Sequence, residues 1–594
     1  MKLIQVIKIS IVLLIFWLSS KALAQNLNIT SFQPSSQSMT SVDNLVITVS
    51  FDSAIDPASV DNLSFTVFGR WSGACPGTFS FRNNNQQIHF APDKNFSVGE
   101  WITVTLSKNI QRPSGENLST GFSWNFWTSV ERGSFDFERI ALLNVRKNNE
   151  GMIRTYGAYA GDLNGDGFHD FTVPNEDVSD VRVFMNDGSG GYSDFTTYSL
   201  AANSTPSTNE GADFNGDGFL DFVCGNISGN SVSVLFGDGT GMLKPPATYP
   251  VGSGTRGLCV LDLNSDGAQD IVTANRASSN ISILLNNGDG TFSQSINMNT
   301  AASGETACAA ADANEDGITD VFVGSFNSGE IIVLLGDGNG SLNEFSKTDA
   351  KGSVWMLAVG DMDNDGHVDV VSANSEQNQF ALLRGDGNGN LSQAEVYDVG
   401  AFPLAIDVGD IDGDGDLDVV TSNFFSANWT IYENDGNGNF VNPRTLPASS
   451  AGSCAILHDR DRDGDLDMTG IDELDDLLFI FDNTATTSVD SEDFPSPKDF
   501  QVQQSYPNPF FKSARVQGAQ INQITIPFSL NRTAEVKIEL FNVKGQRIAF
   551  LVDSEFQAGH HSATFSPKTL AAGVYFYRLS SRGIVLTKKI AVFP

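Results

Sequence analysis

Asp361-Met362-Asp363-Asn364-Asp365-Gly366-His367-Val368-Asp369 puts carboxylates at positions one, three, five and nine of a nine-residue run, with glycine at the sixth. Oxygen donors at alternate positions, closing round a sharp turn at glycine, are what a hard cation of calcium's size requires. The run is one of seven, spaced 49 to 51 residues apart. At the same positions the first four read Asp162, Asn164, Asp166, Asp170; Asp213, Asn215, Asp217, Asp221; Asp262, Asn264, Asp266, Asp270; and Asp312, Asn314, Asp316, Asp320. The last two, like the fifth, carry Asp in place of Asn: Asp410, Asp412, Asp414, Asp418 and Asp459, Asp461, Asp463, Asp467. The period means that one unit is repeated, and the unit means that each copy can hold a metal ion. Clustering these oxygens in a bare turn would cost repulsion that a cation offsets.

The flanks decide the host. Around the fifth copy, 355–360 approaches the loop as a strand, 368–372 leaves it, 375–379 turns, and 380–383 runs back. Gly385-Asp386-Gly387-Asn388-Gly389 then makes a tight hairpin, where Gly and Asn tolerate positive φ. Four short strands in a unit of about 50 residues is the arithmetic of a propeller blade. An EF-hand needs Glu at position twelve and flanking amphipathic helices, and a dockerin holds two loops much closer together; the short β-branched flanks fit neither. The seventh unit stops at Phe481-Asp482-Asn483 without the hairpin, as a ring-closing blade does when its last strand comes from elsewhere. Residues Arg139 to Lys147, just ahead of the first unit, are predicted to supply that strand.

Residues 1–24 read as a secretory signal peptide: Lys2 and Lys8 precede an apolar run from Ile9 to Leu18, and Ala22-Leu23-Ala24 offers small residues for cleavage. Ten apolar residues are too few to span a bilayer, and no later stretch is longer, so an exported mature chain without a transmembrane segment is expected. Residues 27–130 alternate in the manner of an antiparallel β-sandwich, as in Leu45-Val46-Ile47-Thr48-Val49-Ser50-Phe51. The repeats fill 133–485, a linker rich in Ser, Pro and acidic residues covers 486–499, and 500–594 forms a tail of reversed charge, with eleven Lys and Arg against four Asp and Glu.

The formal charge of -36 over 594 residues follows largely from the repeats, whose ligand positions supply about a third of the 71 acidic residues. Seven divalent ions would offset fourteen of those charges. This balance excludes nucleic acid as a partner, which needs a basic footprint. Five cysteines make no disulfide framework; Cys224, Cys259, Cys308 and Cys454 fall on strands beside the loops, and with Cys75 they read as small buried hydrophobes.

The repeats resemble the FG-GAP/VCBS family, the calcium-binding propeller blades also used by integrin α-chains. The resemblance covers about 350 residues and implies an all-β chain with a seven-bladed propeller and up to seven structural Ca2+ ions, each between the innermost and second strands. Positions one, three, five and nine would then give carboxylate or amide oxygens. Position seven (Phe168, Phe219, Ala268, Ile318, His367, Asp416, Asp465) would give its backbone carbonyl. Affinities of roughly 10⁻⁴ to 10⁻³ M are expected, tighter for the three loops with the extra carboxylate. The segment Phe51 to Val60 and the closing strand Phe122-Ser123-Trp124-Asn125-Phe126 resemble bacterial Ig-like domains. Tyr506-Pro507-Asn508-Pro509-Phe510, Gly573-Val574-Tyr575 and Lys588-Lys589 closely resemble the C-terminal sorting domain of type IX secretion substrates in Bacteroidetes. That resemblance implies a second β-sandwich, handling by the type IX machinery, and a place outside the cell or on the outer-membrane surface.

No catalytic constellation is visible: the six histidines are scattered, and no Ser/His/Asp set, nucleophile elbow or phosphate loop occurs. His169 and His367 lie inside metal loops and are expected to face solvent. Arg384-Gly385-Asp386 spells an integrin-recognition tripeptide but occupies a hairpin position shared by sister units. Asn175, Asn226, Asn275, Ser325, Asn374, Asn423 and Asp472 recur five residues past each loop, on the end opposite the metal sites. With Arg256, Arg276, Trp355, Phe402, Phe424 and Phe425 they are expected to form a polar rim carrying aromatics. The reading is a non-catalytic binding or adhesion module for an extracellular carbohydrate or protein, with the Ig-like domain as spacer or second module. The alternatives are a lyase-like polysaccharide-active enzyme and a purely structural surface component.

Overall fold

The computed structural model describes residues 27–130, 133–192, 194–483 and, with short interruptions, 500–593; the expected leader and linker lie outside the described residues. The chain forms two compact units, Met1–Thr486 and Thr487–Pro594. Among the described residues the regular elements are strands, apart from single 3-10 turns at Pro57–Ser59 and Ser375–Gln377.

The first domain is a two-sheet sandwich. Ile29–Gln33, Ile47–Phe51, Gln87–Pro92 and Gly77–Arg82 form one sheet; Met39–Thr40, Phe122–Thr128, Trp101–Leu106, Phe65–Gly69 and Gly73–Ala74 form the other. The alternation seen in sequence sends Ile47, Val49 and Phe51 inward against Ile102, Val104, Phe126 and Trp124.

The repeats make seven four-stranded antiparallel sheets. In the fifth, Val354–Gly360 pairs with Asp369–Asn374, then Gln379–Leu383, then Glu395–Asp398. The second strand of every sheet is buried along its whole length, as it must be when a neighbouring sheet covers each face. Each innermost strand lies beside the next, and Gly452–His458 of the seventh sheet lies beside Tyr159–Gly161 of the first, closing a ring. The seventh sheet takes its outer strand from Phe137–Asn144, antiparallel to Leu477–Asn483. This starts two residues before the expected segment and ends earlier. Beyond Asn144 the chain is captured by Asp476: Val145 N–H donates to its carbonyl at 3.0 Å, and the Arg146 guanidinium pairs with its carboxylate.

The Ig-like sandwich packs directly on the ring, at the end that carries the acidic loops, rather than standing apart from it. Asp162 N–H donates to Trp71 O at 2.8 Å, Lys108 Nζ to Asn264 O at 2.7 Å, and Ser123 N–H to Gly317 O at 2.7 Å. Trp127 packs with Met362 and Leu417 of the fifth and sixth units.

In the second unit, Phe500–Val502, Ile524–Leu530 and Gly559–Phe565 face a five-stranded sheet of Phe510–Phe511, Ile584–Phe593, Gly573–Ser581, Ala534–Asn542 and Arg547–Phe556. Ile526, Ile538, Leu540, Tyr577 and Leu579 are buried between them. Tyr506, Pro507 and Pro509 lie outside the described residues. Asn508 ties the opening motif to the final strand: its Oδ1 accepts from Ala591 N–H at 2.9 Å, and its Nδ2 donates to Lys589 O at 3.1 Å.

Candidate functional site

Each nonapeptide joins the innermost strand of its sheet to the second and folds on a ladder of local hydrogen bonds. In the first, Asp162 accepts from the amides of Asp166 and Gly167 at 3.0 Å each, Asn164 Oδ1 from Asp166 N–H at 3.0 Å, and Asp166 Oδ1 from Phe168 N–H at 2.9 Å. Glycine holds position six because φ there is positive, between 82° and 100°, in all seven loops. The ninth residue also ties the loop down. In every sheet one of its oxygens accepts from the amide of the second loop residue and the other from the amide at the end of the third strand, at 2.7–3.3 Å. Asp170, Asp221, Asp270, Asp320, Asp369, Asp418 and Asp467 therefore fasten each loop to its own sheet.

The donor set suits a hard cation. Asp361, Asp363 and Asp365 bring carboxylate oxygens within 4.8 Å of one another, as do Asp410, Asp412 and Asp418, and Asp459, Asp461 and Asp463. Asp363 Oδ1, Asp459 Oδ1, Asp461 Oδ1 and Asp465 Oδ1 are buried without a hydrogen-bond partner. Burial, reinforced by neighbouring carboxylates, pushes Asp361 up to about 6, Asp410 and Asp459 to about 7, and Asp369 to about 8. Oxygens that repel one another and lack protein partners are what a divalent ion with oxygen ligands would satisfy. The seventh loop is unlike the rest. The Arg460 guanidinium contacts Asp461 at 2.8 Å, Asp467 at 3.3 Å and also Asp482, and donates to Gly190 O of the first sheet at 2.7 Å. Asp465 is buried there, whereas Phe219 at the same position of the second loop is 43% exposed.

The expectation that His169 faces solvent is overturned. It is fully buried under the Ig-like domain, with Ser97 Oγ at 2.8 Å, His458 Nδ1 at 3.3 Å and the Trp71 ring at 5.4 Å. Burial holds it neutral, down at about 3. His367 is half-buried and pairs with Glu315 of the preceding loop. Arg384 is occupied by Asp363, at 2.9 Å, and Glu395, and donates to Asn437 O and Gly438 O of the next unit at 3.2 Å, which leaves the Arg-Gly-Asp tripeptide tied into the ring.

At the other end of the ring, the recurrent Asn, Ser and Asp residues do not form a rim. Asn175, Asn226, Asn275, Ser325, Asn374, Asn423 and Asp472 are all buried. Most of them bond across the hairpin to the third strand: Asn275 Nδ2 reaches Asn280 and Ser282 at 3.0 and 2.8 Å, and Asn423 Nδ2 reaches Asn428 and Thr430 at 2.9 and 2.8 Å. The residue after each is the one placed at this end: Glu176, Ile227, Arg276, Phe326, Ser375, Phe424 and Glu473. Its amide donates to a carbonyl of the strand approach (Arg154, Thr205, Gly254, Gly304, Ser353, Phe402, Ala451) at 2.7–3.1 Å in all seven units. A second set, Tyr156, Ser207, Arg256, Thr306, Trp355, Leu404 and Ser453, follows the residue that bridges to the buried Asn, Ser or Asp. One backbone frame thus presents two variable side chains per unit.

Those side chains form a continuous cluster. Trp355 Nε1 donates to Tyr156 Oη across the ring at 2.6 Å. Arg256 lies over the Tyr156 and Trp355 rings at 5.5 and 5.3 Å; Arg276 lies over Phe326 at 4.0 Å and Trp355 at 5.0 Å. Trp355 meets Phe402 at 5.9 Å, Phe402 meets Phe425 at 5.0 Å, and Phe425, 70% exposed, meets Phe424 at 5.2 Å. Glu176 takes Arg256 at 3.5 Å and Arg154 at 3.7 Å, and Glu473 takes Arg154 at 4.0 Å. Burial and the adjacent Glu176 push Glu473 up to about 7. Within the ring lies a cavity of about 290 Å³, lined by the innermost strands and the Ig-like sheet. Arg70 of the sandwich reaches Asp407 there at 2.8 Å.

Residues 162–224, 213–273, 262–323, 312–372 and 361–421 match the profile of the FG-GAP-like repeat, residues 24–128 that of a bacterial Ig-like domain, and residues 504–593 that of a secretion system C-terminal sorting domain. The chain carries FG-GAP-like repeats, a bacterial Ig-like domain and a C-terminal sorting domain. The tail marks it for export through the type IX system to the cell surface or extracellular space. Among the described residues no helix is long and apolar enough to cross a membrane. No curated protein matches the FG-GAP chain. Solved structures similar to it include an Agrocybe aegerita lectin specific for non-reducing terminal N-acetylglucosamine (17% identity, 67% of this chain and 94% of that one, TM-score 0.35). Others are a Lactobacillus plantarum protein (13%, 66% and 98%, 0.41) and the Pseudomonas aeruginosa periplasmic gluconolactonase (15%, 65% and 97%, 0.36). TM-scores this low do not define a shared fold.

The structure brings Arg256, Arg276, Trp355, Phe402, Phe424 and Phe425 of the FG-GAP ring together, as the sequence suggests. Sequence reading missed Tyr156, Arg154, Glu176, Phe326 and Glu473. A signal was present: the position after the recurrent Asn runs Glu, Ile, Arg, Phe, Ser, Phe, Glu through the repeats while its neighbour hardly changes.

Proposed function

We propose that this FG-GAP protein is a non-catalytic binding module outside the cell. Its ring is stabilised by up to seven Ca2+ ions, and it meets a carbohydrate or protein ligand at the end opposite the metal loops. The asymmetry of the two ends carries this reading. The acidic loops lie at the end where the Ig-like domain docks, fastened by backbone bonds, whereas the other end combines partly exposed aromatic rings, Phe425 the most exposed, with guanidinium groups on a recurrent backbone frame. Recognition surfaces concentrate such residues, aromatics and Arg above all. Each ion would be held by the side chains at positions one, three, five and nine and the backbone carbonyl at position seven, within a loop whose ninth residue also fixes it to the sheet. Its contribution is to neutralise the clustered carboxylates.

One observation favours a second reading as an enzyme. Glu176 and Glu473 are buried together beside Tyr156 and Arg154, and Glu473 is poised near neutrality, as acid–base groups are. Incubation of the purified protein with a panel of uronic-acid polysaccharides separates the two. Binding without unsaturated or shortened products is expected, and turnover would replace the binding reading with the enzymatic one. A glycan array combined with pull-downs that retains nothing would leave a purely structural role.

A further inference from the structure

The side chains at the open end differ in how their charges are met. Arg256 and Arg154 are paired with Glu176 and Glu473. Among the described residues Arg276 has no ion-pair partner within 4.0 Å, although the chain carries a formal charge of -36. It is held instead by rings, with Phe326 at 4.0 Å and Trp355 at 5.0 Å from its guanidinium carbon. A guanidinium lying over aromatic faces is fixed in orientation, and its N–H edge stays free for a planar or tetrahedral anion. Beside it Trp355, Phe402 and Phe425 make a run of ring contacts that ends in the most exposed of the three.

We propose that this end is a site for an acidic carbohydrate. Arg276 takes a carboxylate or sulfate of the ligand, and the Trp355–Phe402–Phe425 run takes the face of an adjoining sugar ring. This rests on the reading of the open end as the ligand face and adds the class of ligand. An acidic peptide shares the anionic group but fits less well. Peptide recognition by strand addition needs free main-chain donors and acceptors, and at this end the seven amides following the buried Asn, Ser and Asp residues already donate to carbonyls of their own units. What remains is side-chain recognition, which suits a ligand without an amide backbone.

The test is titration calorimetry of the full calcium-loaded chain with four probes. These are hyaluronan oligosaccharides (carboxylate), the same oligosaccharides with methyl-esterified carboxyl groups, κ-carrageenan oligosaccharides (sulfate only), and poly-glutamate. Hyaluronan or carrageenan is expected to bind, their ratio telling carboxylate from sulfate, and the esterified probe to bind about tenfold or more weakly. Arg276→Gln should cost a similar factor with an unchanged melting temperature; Arg276→Lys, which keeps the charge and loses the planar fork, should fall between. Phe425→Ala should weaken binding independently. Equal binding of charged and esterified probes, with Arg276→Gln silent and Phe425→Ala damaging, would overturn the acidic class and leave the ligand face standing. Poly-glutamate as the tightest probe would overturn the carbohydrate assignment. If no probe binds, and Phe425→Ala leaves every array or pull-down partner unaffected, both the class and the face fall.

Discussion

Asp365 and Asp369 belong to one loop yet hold it in different ways. Asp365 is exposed and accepts one local amide bond, from His367, so in the proposed metal loop its main contribution would be a carboxylate offered to a cation. Asp369 is buried and accepts the amides of Met362 and Gly385, at 2.9 and 2.8 Å, whatever occupies the loop. Asp365→Ala should therefore lower the melting temperature in calcium and leave it nearly unchanged in chelator. Asp369→Ala leaves two amides unpaired and should cost about 2–6 kcal/mol in both conditions. Equal losses from Asp365→Ala in calcium and chelator would contradict a metal role for the loop. The pH dependence follows with a definite sign. Asp361, Asp369, Asp410 and Asp459 sit at about 6, 8, 7 and 7, above the unfolded value of about 3.9. Without a cation the folded state binds the extra protons, so stability is lost as pH rises from about 4 towards 8. Thermal melts in chelator should give a higher midpoint at pH 5 than at pH 8, and calcium should flatten or reverse that order.

At the scale of the element, the ring is held by stitches between neighbouring sheets. Asn286, Asn434 and Asn483 donate from the end of a third strand to Phe214, Met362 and Ile411 O of the preceding unit at 2.8–3.0 Å, and Asn186 does the same to Arg460 O across the seam. The seam depends on Asp476, whose buried carboxylate accepts the amides of Ile153 and Thr155 at 3.0 and 2.9 Å and pairs with Arg146. Asp476→Ala should destabilise the protein by about 3–5 kcal/mol in denaturant melts, because it removes the ion-pair partner of Arg146 and leaves two amides unpaired. A change within 0.5 kcal/mol would mean that the seam is held elsewhere. The sheets and their closing strand were legible in sequence because glycine, Asp and strand alternation recur with a fixed period. The start of the closing strand was not, because Phe137–Asn144 has a half-exposed outer-strand pattern, with Ile140 and Leu142 facing out. The Asn, Ser and Asp residues at the second-strand ends were misplaced for a related reason. The turn that follows them uses a left-handed residue, with φ between 48° and 67° at Ser179, Asn230, Ser279, Gly329, Asn378, Ala427 and Asp476. That turn folds the polar side chain back into the hairpin and brings the next residue to the end of the ring.

At the scale of the molecule, the proposed function divides the two ends of the ring between different tasks, and this division was only half visible in the repeats. The acidic loops announce themselves seven times, but nothing in the repeated unit says that a sandwich of independent sequence covers them. That cover depends on single residues such as Trp71, Trp127 and Lys108, which carry no motif. The proposed binding end was visible only as scattered Arg, Trp and Phe, because its information lies in how the repeats differ. The division can be tested with one surface substitution at each end of the calcium-loaded protein, measured against whichever ligand a glycan array or pull-down retains. Phe425→Asp alters the open end and Phe219→Asp the exposed seventh position of the second metal loop. The account predicts that Phe425→Asp abolishes binding and Phe219→Asp leaves it within about twofold, both with wild-type melting temperatures; loss of binding on Phe219→Asp with Phe425→Asp unaffected would contradict it.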